Sequence, residues 1–412
     1  MSVYLYKIDL SLRRKSKMHR IFRSTILLLI FLGISANLQA RVVNRKKYDA
    51  RILWKEISPY FTPPLQYRGK FGDYRSPLKF YDGRTVKTPE QWKERREEIY
   101  NRWMDMMGKW PALIKNQELK IISTKQRHGF TQYEVSFDWL PNQKTTGYLL
   151  VPPGKGKKPA VIVVFYTPET AIKSHDKKHR NFAYQLAERG FVTLSLGTTA
   201  TTKAGTYSLY YPDRAHSTIQ PISVLACAAA NAWYALAKNP HVDPSRIGIM
   251  GFSYGGKWAM FASSLFQKFA CAVWVDPGLV FSDSHPPLIN YWEPWYLGYY
   301  PPPWHDTWRD KGMVPGARGL YPKLIRGGYD LQEIEALMAP RPFLVSGGLA
   351  DGPNRWTVLN NIIAVDSVLG YSDRVALTGR PTHTPTVESN QVIHRFFEYF
   401  LMCKGTLQSK AQ

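Results

Sequence analysis

The stretch RIGIMGFSYGGKWAMFASSLF, residues 246–266, decides the fold. Its start, RIGIMGF, is an apolar run of strand length, and KWAMFASSLF reads as a helix. Between them Gly251-Phe252-Ser253-Tyr254-Gly255-Gly256 forms a GxSxGG turn. A serine at the tip of so tight a strand-to-helix turn stands clear of the sheet only if its flanking residues lack side chains that would strike the neighbouring strand. The glycine spacing is therefore steric.

Working outward, continuous apolar runs alternate with helical stretches from Pro159 onward. The runs AVIVVFY, FVTLSL, RIGIMGF, ACAVWVD, RPFLVSGG and RVALTG predict parallel strands covered on both faces. Helices are expected at about 179–189, 219–237, 255–267, 354–369 and 386–402. Upstream, ELKIISTK, TQYEVSFDW and TTGYLLVPP alternate with period two and predict antiparallel strands. Thr88-Pro89-Glu90-Gln91 carries an N-cap Thr, Pro at the first helical position and Gln at the third, so a helix is expected to Met107, ended by Gly108. Residues 277–329 break the rhythm as an aromatic-rich insertion, too long and too rich in Pro and Gly for an ordinary loop.

The expected organisation is an export signal over 1–40 and an arm with its helix over 41–117. A main domain over 118–404, carrying the insertion, and a tail over 405–412 complete the chain. From Met18, a possible true start, a short basic segment, an apolar run from Ile26 to Ile34 and small residues ending at Ala40 form a signal-peptide pattern. The apolar run is too short for a stable membrane span. Periplasmic or extracellular export is the expectation.

The 412 residues carry a net charge of +24, which becomes +18 without the seven Lys/Arg and one Asp of residues 1–40. Such a charge suits an acidic substrate or surface. Nucleic acid is not expected, because no basic block interleaved with aromatics and no zinc-finger spacing occurs. Cys227, Cys271 and Cys403 are widely spaced and apolar in context, so buried thiols are expected rather than a disulfide or metal site.

A serine hydroxyl needs a histidine base, and that base an orienting carboxylate. In a strand–turn–helix setting of this kind the chain order is Ser, acid, His. Asp351 follows RPFLVSGG and His383 follows RVALTG, so Ser253, Asp351 and His383 are the expected triad, with Asp276 at the end of ACAVWVD as the rival acid. The backbone N–H of Tyr254 is the first expected oxyanion donor. Thr167 is the candidate for the second, since Pro168 has no N–H, and the Tyr166 hydroxyl is an alternative.

The segment VDPSRIGIMGFSYGGKWAMF (242–261) resembles the elbow region of α/β-hydrolases of the dienelactone hydrolase, acetyl xylan esterase and prolyl oligopeptidase-like group. The resemblance extends over about 145–402. It implies the α/β-hydrolase fold, Ser253 as nucleophile, Asp351 as acid, His383 as base, and neither metal nor organic cofactor. The fold class expected is thus α/β, a mostly parallel central sheet with helices on both faces, antiparallel N-terminal strands and a lid insertion.

Trp292, Trp295, Trp304 and Trp308 of the insertion are candidates for stacking on sugar rings, and Arg355 for pairing with a uronic carboxylate. The aromatics could equally form the core of a lid. The expected function is an exported serine hydrolase that removes ester groups from a carbohydrate, possibly an acidic one, as a deacetylase or uronoyl esterase. A serine peptidase and a non-catalytic carbohydrate-binding protein are the alternatives. The roughly 100 mature residues ahead of the sheet are too few for the β-propeller of exported prolyl peptidases.

Overall fold

The computed structural model describes residues 48–199, 209–281, 296–297 and 319–407. The expected signal segment, most of the insertion with its four candidate tryptophans, and most of the tail lie outside these residues. Contacts divide the chain into Met1–Ile52 and Leu53–Gln412. The sheet, its covering helices and the serine turn all belong to the second unit.

Helix α1 (Pro89–Met107) starts as its sequence dictates: the Thr88 side chain accepts from the Gln91 N–H. The Gln91 side chain accepts in turn from the Lys87 N–H, one residue earlier than an ideal capping box. Gly108 ends the helix at φ +90°, where a Cβ would also lie 2.4 Å from the Thr218 carbonyl oxygen. Trp92, Ile99, Trp103 and Met107 are buried along the helix, and so is Arg95. That guanidinium pairs with the buried Glu333 at 3.0 Å. The Glu333 carboxylate also accepts from the Trp103 indole and the Tyr81 hydroxyl, so arm, helix and main domain meet at one anion.

The central sheet follows the expected runs: β1 (Lys120–Arg127), β2 (Phe130–Leu140), β3 (Gln143–Val151), β4 (Lys158–Phe165), β5 (Val192–Gly197), β6 (Val242–Phe252), β7 (Ala272–Val275), β8 (Phe343–Ser346) and β9 (Val375–Thr378). Their order is β1-β2-β3-β5-β4-β6-β7-β8-β9. β1 to β3 form an antiparallel meander and β3 pairs antiparallel with β5. β4 to β9 are mutually parallel.

Alternation along β4 shows how the sheet feeds two cores. Ala160, Ile162 and Val164 join a core with α1, α3 (Pro221–Ala237), α4 (Tyr254–Leu265) and α5 (Trp356–Val368). Val161, Val163 and Phe165 face the other way, toward α2 (Phe182–Glu188) and α6 (Val387–Phe397). Helices therefore cover both faces, as a parallel sheet needs. Cys227 and Cys271 are buried free thiols, whereas Cys403 is only half-buried, just after the π-helical turn Glu398–Met402 that continues α6.

β4 is the switch point of this sheet, because the chain passes to β5 on one side and to β6 on the other. The carboxyl ends of parallel strands diverge there and leave a crevice. Ser253 stands directly at the end of β6.

Candidate active site

Ser253 sits at φ +57°, ψ −114°, a backbone conformation an L-residue holds only under constraint. The constraint is visible on both sides: its N–H donates to the Val275 carbonyl at 2.8 Å, and its own carbonyl accepts from the Lys257 N–H at 3.0 Å. A Cβ at Gly251 would fall 2.1 Å from the Gly255 oxygen, and one at Gly255 would fall 2.0 Å from the Val164 oxygen. Both glycines are close-approach positions forced by the turn.

The His383 Nε2 atom is 2.8 Å from the Ser253 hydroxyl, and Nδ1 lies against the Asp276 carboxylate. A ring protonated on Nδ1, toward the carboxylate, leaves Nε2 able to accept a proton from the serine hydroxyl. The Phe252 ring backs the imidazole at a centroid separation of 4.7 Å. Asp276, the first residue after β7, is buried and accepts backbone N–H bonds from Gly348, Ala350 and Asp351 at 2.8, 3.1 and 3.0 Å. Burial pushes its carboxyl up, but the hydrogen bond and charge of His383, the Arg380 guanidinium and the Ala350 N–H outweigh it and hold the carboxyl below its ordinary value.

Asp351, the acid expected on His383, is elsewhere. Its carboxylate turns back into the loop after β7, accepting from the Gly278 and Leu279 N–H groups at 2.7 and 2.8 Å, and it pairs with Arg355 at 3.4 Å. Burial and the neighbouring Asp276 charge raise its carboxyl. The two acids thus cross-brace: each binds the backbone of the loop that carries the other. Both follow adjacent parallel strands at the same end of the sheet, so chain order could not separate them. Proximity to the strand end favours Asp276, which leaves β7 without an intervening loop.

Arg355, expected to meet a substrate carboxylate, is instead buried, with its guanidinium on the Ala350 carbonyl and Asp351. It braces the loop.

The Tyr254 ring is buried, stacks on Tyr166 at 4.8 Å and 14°, and its hydroxyl meets that of Thr198 at 3.0 Å. These contacts hold the residue whose backbone N–H directly follows Ser253. Thr167 opens the short helix Pro168–Ala171 beside it, with its hydroxyl 2.8 Å from that of Thr170. Of the insertion, Tyr296 is described and buried, 6.0 Å from the Tyr254 ring, and so belongs to core packing.

Lys257, one helical turn beyond Ser253, is a residue that the sequence reasoning missed. Its buried ammonium donates to the Pro277 carbonyl, and burial pulls its pKa down to about 8 against the charges of Asp351 and Asp276. The four-residue spacing from the serine was the available signal. Among the described residues no group of three His, Cys, Asp or Glu side chains is placed to hold a metal ion.

A cleft of about 550 Å³ opens at the same end of the sheet, across β4 and β5 from Ser253. Its described lining includes Trp139, Lys144, Thr146, Glu169 and Thr198.

The chain has the α/β-hydrolase fold. The prolyl oligopeptidase family profile matches residues 228–310, which contain the elbow. No curated protein matches the chain. A glucuronoyl esterase from Solibacter usitatus is similar in structure, with a TM-score of 0.58 at 16% identity, over 79% of this chain and 97% of that one. A carbohydrate esterase family 15 glucuronoyl esterase from Caldicellulosiruptor kristjansonii gives 0.57 at 17% identity, over 85% and 96%. A putative acetyl xylan esterase from Bacteroides fragilis gives 0.50 at 16% identity, over 80% of each chain.

Proposed function

We propose that the protein is an exported serine hydrolase that cleaves carboxylic esters of a carbohydrate through an acyl-enzyme on Ser253. The single observation that carries the reading is the relay from Ser253 through His383 to Asp276 on a strained strand-to-helix turn.

In the first step His383 Nε2 takes the serine proton while Oγ attacks the ester carbonyl carbon. The carbonyl oxygen becomes an oxyanion, held by the Tyr254 N–H with Thr167 supplying the second donor. Collapse breaks the bond to the leaving alcohol, which receives the proton from Nε2. Water then attacks the acyl carbon, giving its proton to Nε2, and the second collapse frees the acid and returns the proton to Ser253. Throughout, Asp276 stabilises the protonated ring and fixes its tautomer.

The carbohydrate part rests on the esterase neighbours and on the cleft. The Thr146 hydroxyl, the Trp139 indole, the Lys144 ammonium and the Glu169 carboxylate line that cleft, and such groups suit a sugar's alternating hydroxyls and apolar ring face. The excess positive charge suits an acidic glycan, and the pattern at residues 18–40 suits export.

The prolyl oligopeptidase match supports a second reading, amide hydrolysis by the same groups. Turnover of a methyl uronate ester, an acetylated xylo-oligosaccharide and a proline anilide by the purified protein separates the readings. Ester turnover with an inert anilide is expected; cleavage of the anilide alone would transfer the protein to the peptidases.

A further inference from the structure

Between β9 and His383 lies Arg380, a half-buried residue that the triad does not use. Its guanidinium makes contacts in two directions. Nη2 donates to the His383 carbonyl at 2.7 Å and Nε to the Thr384 carbonyl at 3.0 Å, which ties down the loop carrying the base. Nη1 donates to the Ser346 and Gly347 carbonyls at 2.9 and 3.0 Å and lies 3.1 Å from the Ser346 hydroxyl. Ser346 and Gly347 lead directly into the Gly348–Asp351 segment whose N–H groups hold the Asp276 carboxylate.

We infer that Arg380 is the positioning residue of the site, a single fork that fixes the loop of the base to the cradle of the acid. The inference rests on the Ser253–His383–Asp276 triad and adds to it. A Lys could supply the charge but not the planar set of donors aimed at both loops.

A plain loop staple would make the same hydrogen bonds, so the charge distinguishes the two. Asp276 is faced by His383 and Arg380 from the loop after β9, by Lys257 from α4, and by Asp351, itself paired with Arg355, from the loop after β8. Arg380 is one of the cations that hold the Asp276 carboxyl down. Losing it leaves that carboxylate easier to protonate.

The test is the pH dependence of kcat/KM for an aryl acetate in Arg380→Met and Arg380→Lys, with melting temperatures for both. Arg380→Met is expected to lose roughly 10- to 100-fold in kcat, as misplaced reacting groups do, and to move the acidic limb to higher pH. Arg380→Lys is expected to keep the limb near its wild-type position while losing about 10-fold in kcat. A wild-type limb and a kcat within about twofold in Arg380→Met overturn the inference, whatever the melting temperature. If Arg380→Met does not fold, Arg380→Lys decides alone, and a wild-type kcat in it overturns the inference. Ser253→Ala is run beside them: activity there removes the triad reading itself, whereas an inactive Ser253→Ala with unaffected Arg380 variants removes only the role of Arg380.

Discussion

Asp276 and Asp351 show how two identical side chains, one strand apart, take different work from their surroundings. Asp276 has one oxygen on the imidazole and three backbone donors around it, while Asp351 faces two N–H groups and an arginine. Asp276→Asn is therefore expected to lower kcat for an aryl ester by about 10³- to 10⁴-fold, because the amide favours the wrong histidine tautomer. Asp351→Asn is expected to cost far less in kcat and to lower the melting temperature, since it weakens a loop brace. The reverse ranking in steady-state kinetics would return the acid to the loop after β8. Gly255 makes a steric prediction of the same kind. A methyl there would sit 2.0 Å from the Val164 oxygen, so Gly255→Ala is expected to destabilise the fold by about 1–3 kcal/mol in denaturant titration and to reduce fluorophosphonate labelling as the elbow shifts.

At the scale of elements, α1 is joined to the main domain by a buried ion pair rather than by apolar packing alone. Arg95→Leu would strand the Glu333 carboxylate among Trp103 and Tyr81, at an expected loss of about 3–5 kcal/mol measured by urea unfolding. A loss below about 1 kcal/mol would mean that the pair contributes no more than an exposed one. That pair also marks the boundary of what the sequence discloses. The nine strands, the Thr88 cap and the GxSxGG turn were legible because each depends on residues adjacent in the chain. The pairing of Arg95 with Glu333, of His383 with Asp276 and of Arg380 with two loops spans between three and over two hundred positions, and periodicity carries no signal for such contacts. The long-range part that was legible, Ser253 to His383, came through the order of motifs along this kind of sheet.

For the whole molecule, stability should depend on pH through buried groups outside the triad. His394 in α6 is buried with both ring nitrogens unpartnered, and burial, aided by the charges of Arg189 and Arg395, lowers its pKa to about 3. The unfolded chain binds this proton more readily, so between pH 3 and the ordinary histidine value stability rises with pH. Asp330, raised to about 6 by burial, acts in the opposite sense, its contribution falling as pH rises from the ordinary carboxylate range toward 6. His394→Gln should remove the first effect only, so the gain in stability from urea unfolding between mildly acidic and neutral pH is expected to shrink by about 2–3 kcal/mol relative to the parent. An unchanged gain would mean that His394 is not held neutral.

We propose that Ser253 is the hydroxyl that this site activates. Intact-protein and peptide mass spectrometry after exposure to a fluorophosphonate reads it directly. A single adduct on the peptide containing Ser253 is expected, absent from Ser253→Ala and strongly slowed in Asp276→Asn. An adduct on another residue, or equal labelling of Ser253→Ala, would contradict it.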